Sequence, residues 1–345
     1  MKLKHIHIDD YKLFHNFDID FCKGDEPLGI VVVTGVNGNG KSTLLAYIKP
    51  KQVGKNPAGK ISVEVEGTSQ IFEVPPRLGQ WTAYQEAFRS VIYFSPGSTG
   101  NATQQLEKEI LKYVDRFVYV EGKTSFEAYR EIQALIDKIF ADFHLQVRFK
   151  GINADKHLVF INPNNEEFGV EGLSDGEKQL LAKVLPLFFA DMKGRVVLMD
   201  EPESSLHPSW QSYLLPVLRR CVEAQDCQFI LTTHSPQIIA AAHQEEIRIL
   251  TRREDGHVQA EHCEEGPYGW TVEKVLDEIQ NVPMQRVPEI ENRLEKLRDK
   301  IRKNLYETEE FTKELKRLEA LLGTSDPGLT LIRLELIRRK KEKKV

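Results

Sequence analysis

The stretch GIVVVTGVNGNGKST, residues 29–43, constrains the fold of this 345-residue chain more than any other stretch. It fits the pattern G-x-x-x-x-G-K-[ST] and lies where that pattern has to lie, after an apolar run and before a helical one. Glycines in such a loop let backbone N–H groups turn inward around phosphate oxygens. We therefore expect a buried strand, a phosphate-binding loop and a helix in succession, as in an α/β domain that binds a nucleotide.

Lys41 and Ser42 carry the chemistry of this loop. A lysine at this position puts a positive charge on the outer phosphates, and the hydroxyl that follows it can ligate Mg²⁺. The predicted nucleotide contacts of the loop are Gly35, Asn37, Gly38, Asn39, Gly40, Lys41, Ser42 and Thr43. Ser42 is also a predicted metal ligand.

A second apolar run ends in two adjacent acids, in the segment VVLMDEPESSLHP at residues 196–208. Successive side chains on a strand point to opposite sides, but at a fraying strand end both can address one cleft. We expect Asp200 to hold the Mg²⁺ shell, as this acid does in P-loop NTPases, and Glu201 to orient and deprotonate water. Two solvated acids that merely close a strand are the alternative, which the phosphate loop in the same chain disfavours.

A third apolar run, FILTTHSP at residues 229–236, ends at His234. A lone histidine is more often structural than catalytic, but this one lies at the carboxyl end of a strand, where open α/β sheets bind ligands. As a neutral imidazole or as a cation it can reach a γ-phosphate or the attacking water. The predicted catalytic residues are therefore Lys41, Glu201 and His234.

The segment EGLSDGEKQLL, residues 171–181, predicts a loop that runs directly into a helix. Ser174 is a good N-cap, Glu177 lies three residues further on, and an apolar helical pattern follows. A helix start of this kind is a ready anion site. The chain then has two candidate anion sites, although one nucleotide needs only the phosphate loop.

Charge and composition limit the functions of the chain. Its net charge is −5, yet the segment from Arg286 to the end carries 17 Lys/Arg against 12 Asp/Glu, which makes it +5 and the remainder −10. A solvated helix end is one interpretation of the terminal RRKKEKKV, and contact with a phosphate backbone or a partner is the other. The four cysteines lack metal spacing, which indicates free thiols in a reducing cytosol, and no apolar run approaches the roughly 20 residues of a membrane span.

The order of apolar and helical patterns predicts an α/β fold with a mixed central sheet, an antiparallel N-terminal subdomain and a C-terminal helical appendage. Residues 104–142 have a helical apolar pattern, and strands interleave with helices from residue 195 to about 250. We expect a nucleotide-binding domain at 1–285, with a helical lobe at about 100–192 that carries the segment 171–181. A charged helical appendage follows at 286–345.

The four motifs GVNGNGKST, LSDGEKQ, MDEPESSLHP and TTHSP, in this order, resemble those of ABC-type ATPases. The resemblance implies ATP and Mg²⁺ as ligands and a head-to-head homodimer, in which the signature helix of one subunit faces the phosphate loop of the other. Ser174, Gly176 and Glu177 would then lie at the γ-phosphate of the ATP held by the partner's Lys41. The loop Ser204, Ser205 and Leu206 would link the two sites.

The chain departs from the common pattern of this family in three places. Asp175 and Glu177 replace the second glycine and the glutamine of L-S-G-G-Q, and an acid near phosphate has to face outward or meet a base. A Mg²⁺-sensing glutamine is expected soon after VIYFS, where the chain has Pro96 and only later Gln104 and Gln105, so this residue is not assigned. Tyr11 is the predicted adenine contact, with Phe14 nearby and a core role as the alternative for both.

The beginning of the chain, HIDDYKLFHNFDIDF, resembles that of RecF, SMC and OLD ATPases. A compact head followed by a charged helical hairpin and a DP turn is similar to the ATPases of bacterial anti-phage systems such as Septu, in which an HNH nuclease is a separate subunit. This resemblance implies Mg²⁺-dependent ATP hydrolysis that controls an effector, since the chain itself carries no nuclease motif. The alternative is a DNA repair or replication ATPase of the RecF/SMC type that acts directly on DNA, with a stand-alone regulatory ATPase or a transporter subunit as further options.

Overall fold

The computed structural model describes residues 1–49, 58–65, 67–77, 79–94, 102–143, 145–153, 155, 157–189, 192–204, 206–282 and 286–342. The chain divides into two compact units, Met1–Gln280 and Asn281–Val345. The strands are β1 (Lys2–Tyr11), β2 (Phe14–Asp20), β3 (Cys22–Lys23), β4 (Glu26–Pro27), β5 (Ile30–Gly35), β6 (Ala58–Val65), β7 (Thr68–Val74), β8 (Val91–Phe94), β9 (Arg148–Ile152), β10 (Leu158–Ile161), β11 (Glu167–Phe168), β12 (Val196–Asp200), β13 (Gln228–Thr232), β14 (Ile247–Arg252) and β15 (Val258–His262). The α-helices are α1 (Lys41–Ile48), α2 (Trp81–Phe88), α3 (Ala102–Tyr119), α4 (Ser125–Asp142), α5 (Asp175–Phe189), α6 (Pro208–Gln225), α7 (Pro236–Ile239), α8 (Val272–Glu278), α9 (Pro288–Arg302), α10 (Glu309–Leu322) and α11 (Pro327–Glu342).

A six-stranded sheet in the order β15-β14-β5-β13-β12-β8 forms the centre of the first unit. All its pairings are parallel except that of β15 with β14. Every residue of β5, β12 and β13 is buried, because both faces of a parallel sheet are covered. Parallel strands end at the same edge, so the residues that follow these three strands lie together.

An antiparallel sheet in the order β2-β1-β6-β7 covers the N-terminal side. The apolar residues Leu3, Ile6 and Ile8 of β1 are buried in a cluster that also contains residues of α1 and β5. The predicted α/β fold with a mixed central sheet and an antiparallel N-terminal subdomain is confirmed. Elements that the sequence analysis did not predict include the short helices α2 and α8 and the edge strand β15.

The lobe that contains α3, α4 and α5 also holds a small sheet in the order β11-β10-β9. The prediction of helix throughout residues 104–142 is wrong at 120–124, where the chain leaves α3 and starts α4. Gly122 adopts a φ of 68° there, and Thr124 forms a capping box with Glu127. The side-chain oxygen of Thr124 binds an otherwise unpaired helix N–H, which stabilises a new helix start over continuation of the old one.

The second unit, Asn281–Val345, is built from α9, α10 and α11 around its own apolar cluster. Leu294, Leu297 and Ile301 of α9 are buried at the spacing expected for one helix face. Arg286 donates to Asp326 at 2.7 Å within this unit. None of the helices in the described part of the chain combines the length and the apolar composition that a membrane span requires.

Candidate nucleotide-binding site

The phosphate loop connects β5 to α1 through glycines in the left-handed region. Gly35, Gly38 and Gly40 have φ values of 140°, 84° and 86°. Gly40 is the N-cap of α1, and a Cβ added there would lie 2.9 Å from the buried ring of Phe14. The loop therefore requires glycine at this position for both backbone conformation and space.

Lys41 points back into the loop. Its ammonium group donates to the carbonyl oxygens of Gly35 at 2.8 Å and Val36 at 3.2 Å, and the residue is buried. Burial lowers the pKa of Lys41, while the nearby carboxylates Glu201, Asp200 and Glu203 act in the opposite direction. The three acids therefore offset part of the effect of burial on this ammonium group.

Asp200 closes β12 and is the centre of a hydroxyl cluster. Its Oδ1 accepts from Ser42 Oγ at 3.0 Å and from Thr232 Oγ1 at 2.6 Å, and its Oδ2 accepts from the Tyr93 hydroxyl at 3.3 Å. Hard oxygen donors of this kind suit Mg²⁺, which is usually held by one or two protein groups together with phosphates and water. Accordingly, no group of three His, Cys, Asp or Glu side chains among the described residues could hold a metal by itself.

Glu201 and His234 face each other beyond the strand ends. Glu201 has a φ of 45°, an unusual conformation for this residue type, and its N–H donates to the carbonyl oxygen of Thr232 at 3.1 Å. Its Oε1 lies 3.8 Å from His234 Nε2. Burial and the charge of Lys41 lower the pKa of His234, against the smaller effect of Glu201, so the imidazole is neutral at pH 7.

Glu203 and Gln280 hold the backbone of His234 from both sides. Glu203 Oε1 accepts from the His234 N–H at 2.9 Å and from Thr233 Oγ1 at 2.6 Å, and Gln280 Nε2 donates to the His234 carbonyl oxygen at 2.8 Å. Burial raises the pKa of Glu203. These contacts hold in place the backbone from which the imidazole projects.

The side chain of Asn39 is used inside the protein. Its Nδ2 donates to the carbonyl oxygen of Leu250 at 2.7 Å, and its Oδ1 accepts from Arg252 Nε at 3.2 Å. Arg252 also donates to the Gly38 carbonyl oxygen at 3.1 Å. Asn39 therefore ties the phosphate loop to β14, and only its backbone is available to a nucleotide.

The segment 171–177 forms a capping box at the start of α5. Ser174 N and Oγ both donate to Glu177 Oε2 at 2.7 Å, and Glu177 N donates to Ser174 Oγ at 3.3 Å. The Asp175 side chain is fully exposed and lies 3.8 Å from Lys178 Nζ. Of the two acids that replace the common residues, Asp175 therefore faces solvent, and Glu177 caps the helix through Ser174.

Known proteins resemble this chain at the level of sequence. Residues 101–240 match the family model described as "AAA domain, putative AbiEii toxin, Type IV TA system". The Septu protein PtuA of Bacillus thuringiensis is 25% identical over 250 residues, 67% of this chain and 60% of that protein. The "Retron Ec83 probable ATPase" of Escherichia coli is 27% identical over 196 residues, 52% of this chain and 34% of that protein. The chain thus spans 60% or less of the length of these relatives.

Solved structures share the fold. An SMC head bound to the C-winged helix domain of ScpA has a TM-score of 0.54 at 17% identity, covering 76% of this chain and 97% of that structure. The SMC head domain from Thermotoga maritima has a TM-score of 0.51 at 16% identity, covering 76% of this chain and 100% of that structure. The chain has the fold of an ABC-type ATPase head. The resemblance predicted from the sequence, to such heads and to the ATPases of anti-phage systems, is confirmed.

The predicted site residues of this chain lie together only in part. Lys41, Ser42, Asp200, Glu201 and His234 share the edge of the central sheet at which β5, β12 and β13 end. Ser174, Gly176 and Glu177 lie at the start of α5, and their pairing with a second head is a prediction. Asn37 is exposed, whereas Thr43 is half-buried.

The remaining predictions concern the adenine contact and the loop of Ser204, Ser205 and Leu206. Phe14 is fully buried and packs on Phe17, so it belongs to the core. Tyr11 is half-buried with its ring 5.4 Å from that of Tyr47, and its contact with adenine stays a prediction. Pro96 and Ser205 fall outside the described residues, as do the side chains of Gln104 and Gln105.

Four residues of the site were missed by the sequence analysis. Tyr93 and Thr232 bind Asp200, while Glu203 and Gln280 hold His234. Glu203 lies in the motif MDEPESSLHP, two residues after Glu201, so its position in the sequence could have identified it as part of the site. Tyr93 and Gln280 come from β8 and from the region after α8, and no local pattern links them to the motifs.

Proposed function

We propose that this protein hydrolyses ATP with Mg²⁺ as a head-to-head homodimer and thereby controls an associated effector in anti-phage defence. One observation carries the hydrolytic part, namely that Ser42, Asp200, Glu201 and His234 surround Lys41 at one edge of the sheet. Lys41, Ser42 and Asp200 are the residue types that P-loop NTPases use for the phosphates and Mg²⁺, and Glu201 and His234 are types that can orient or deprotonate water.

The residues divide the chemistry among them. Lys41 and the loop N–H groups would bind the outer phosphates, and Ser42 and Asp200 would hold Mg²⁺, which would neutralise charge on the phosphate oxygens. Glu201 accepts a proton from the attacking water, and its carboxylate lies 3.8 Å from the imidazole of His234. The neutral His234 donates or accepts one hydrogen bond at the same water or at the γ-phosphate.

The start of α5 supports the homodimer. The side chain of Ser174 is exposed, and the helix N-terminus offers N–H groups and a positive dipole end to an anion. Since the phosphate loop already binds the ATP of its own head, this second anion site fits the ATP of a partner head. ATP is then shared by two subunits, and its γ-phosphate decides whether they stay together.

The names of the relatives support the defence role, since they belong to Septu and to retrons. We propose that the effector is a separate HNH-type nuclease. All four cysteines are free, which is typical of the reducing cytoplasm in which we expect the protein to act.

The alternative, an ATPase acting directly on DNA, is favoured by the likeness to SMC heads. Hydrolysis that DNA stimulates, with binding that weakens as salt rises, would support it.

Phosphate release under saturating MgATP tests the hydrolytic proposal. We expect Glu201→Gln to lower kcat by about 10²–10⁴, the usual contribution of a general base, with little change in ATP affinity. Glu223→Gln, on the exposed side of α6, is the control and should turn over like wild type. Wild-type turnover in Glu201→Gln would show that Glu201 is not the base.

A further inference from the structure

One ammonium group joins the signature helix α5 to the loop that follows Glu201. Lys183 lies on α5, and its Nζ donates to the carbonyl oxygen of Pro202 at 2.9 Å, to the carbonyl oxygen of Ser204 and to Ser204 Oγ at 3.2 Å. All three acceptors belong to residues 202–204, which we call the linking loop. A lysine has three donors, so this set satisfies it completely.

The linking loop is tied on its other side to the end of β13. Glu203, in the middle of the loop, accepts from Thr233 and from the backbone of His234, and the N–H of Glu201 donates to Thr232. The loop therefore has two anchors, with Lys183 connecting it to α5 and Glu203 connecting it to the residue opposite Glu201. A movement of α5 reaches both members of the Glu201–His234 pair through these few hydrogen bonds.

We propose that Lys183 is a positioning residue that couples the position of the signature helix α5 to the alignment of Glu201 and His234 for hydrolysis. This inference rests on the proposed function, because it assigns Lys183 a role in timing that function's chemical step. Engagement of the α5 start by an anion would shift the helix, and Lys183 would transmit the shift to the linking loop. Lys183 itself lies outside the phosphate-binding residues and contributes nothing to binding of the nucleotide by the same head.

The chemistry of Lys183 supplies a readout that a purely structural residue would not give. Burial lowers the pKa of Lys183 to about 8, while the nearby carboxylate of Glu203 acts weakly in the opposite direction. Above that pH the ammonium becomes an amine with two donors for three acceptors. Coupling should therefore weaken as the pH rises through about 8, whereas an arginine at this position stays charged over the same range.

The experiment compares wild type, Lys183→Met, Lys183→Arg and the control Lys150→Met, a surface lysine paired with Glu167 in the same lobe. We expect Lys183→Met to lower kcat at least tenfold while changing the dissociation constant of a fluorescent ATP analogue less than threefold. In wild type, kcat should fall above pH 8, and in Lys183→Arg this fall should move upward by at least one pH unit. Lys150→Met should match wild type in both measurements.

A second readout does not depend on turnover. Ser204 N donates to the Glu201 carbonyl oxygen at 3.0 Å and Leu206 N to that of Glu203 at 2.9 Å, so exchange of these amides with deuterium reports the loop. We expect these amides to exchange at least tenfold faster in Lys183→Met than in wild type, and at the wild-type rate in Lys150→Met. Unchanged exchange, equal losses of kcat and affinity in Lys183→Met, or an alkaline limb that is the same in Lys183→Arg as in wild type would each overturn the coupling. A wild-type chain without turnover would instead overturn the proposed function, and the coupling with it. The exchange data would still show whether Lys183 holds the linking loop.

Discussion

Replacement of Gly40 by alanine tests whether the phosphate loop is built as the structure describes. The residue has a φ of 86°, a conformation that costs an L-residue with a Cβ about 1–2 kcal/mol. The new Cβ would lie 2.7 Å from Leu13 Cδ1 and 2.9 Å from Phe14 Cζ. Leu13 can rotate away, but the ring of Phe14 is fully buried, and crowding of this kind costs about 1–3 kcal/mol.

The two effects together predict a loss of about 2–5 kcal/mol in the free energy of unfolding, or roughly 3–9 °C in Tm for a unit of this size. Gly122→Ala is the matched control. Its φ of 68° carries the same backbone strain, but no atom lies within 4 Å of the added Cβ. It should lose only about 1–2 kcal/mol.

Urea unfolding followed by tryptophan fluorescence is a suitable assay. Trp81, Trp210 and Trp270 all belong to the unit Met1–Gln280, so the signal reports the unit that contains Gly40. Gly40→Ala should also weaken nucleotide binding, because relief of the contact with Phe14 moves the backbone next to Lys41. If Gly40→Ala and Gly122→Ala differ by less than about 0.5 kcal/mol, the described packing of the loop on Phe14 is wrong.

Three further predictions follow from the contacts of single side chains. Arg248 is buried and donates to four carbonyl oxygens and a carboxylate, so Arg248→Met should lower the free energy of unfolding by about 3–5 kcal/mol in the same urea assay. Because the pKa of His234 is lowered, the unfolded chain binds its proton first as the pH falls. Both the stability from His234 and kcat should therefore be constant above pH 6.5 and decline only below it, and His234→Asn should lack this acid limb. Tyr93→Phe removes one hydrogen bond to Asp200, worth about 1.5 kcal/mol, and should raise the Mg²⁺ concentration for half-maximal turnover roughly tenfold.

The sequence was most informative where function depends on residues close together in the chain. The run of β5, the glycines and Lys41 predicts strand, loop and helix, because each step follows from local conformational preference. The same holds for β12 ending at Asp200 and for the capping box of Ser174 and Glu177. These segments combine an apolar period with a residue type that has few alternative uses at a strand or helix end.

What escaped the sequence analysis depends on contacts between distant segments. Tyr93 meets Asp200 only because β8 pairs with β12 in parallel, and Lys183 meets the linking loop only because α5 packs beside it. Asn39 was predicted only as a nucleotide contact of the loop, and that its side chain binds Leu250 of β14 and Arg252 could not be inferred from the motif. The helical apolar pattern of residues 104–142 also gave no sign of the break at residues 120–124. There α3 has ended, Gly122 has a positive φ, and Thr124 caps the start of α4.

The shared ATP site is the central claim of this account, and molecular mass measured in solution tests it most directly. Glu201→Gln with MgATP should have twice the 39.6 kDa of one chain, and without nucleotide it should have the mass of a single chain. Adding Ser174→Arg, which puts a bulky side chain at the start of α5, should return the MgATP sample to the single-chain mass. A mass that is the same with and without MgATP would contradict the claim that one head completes the site of the other. So would an ATP-dependent dimer that persists in the double variant.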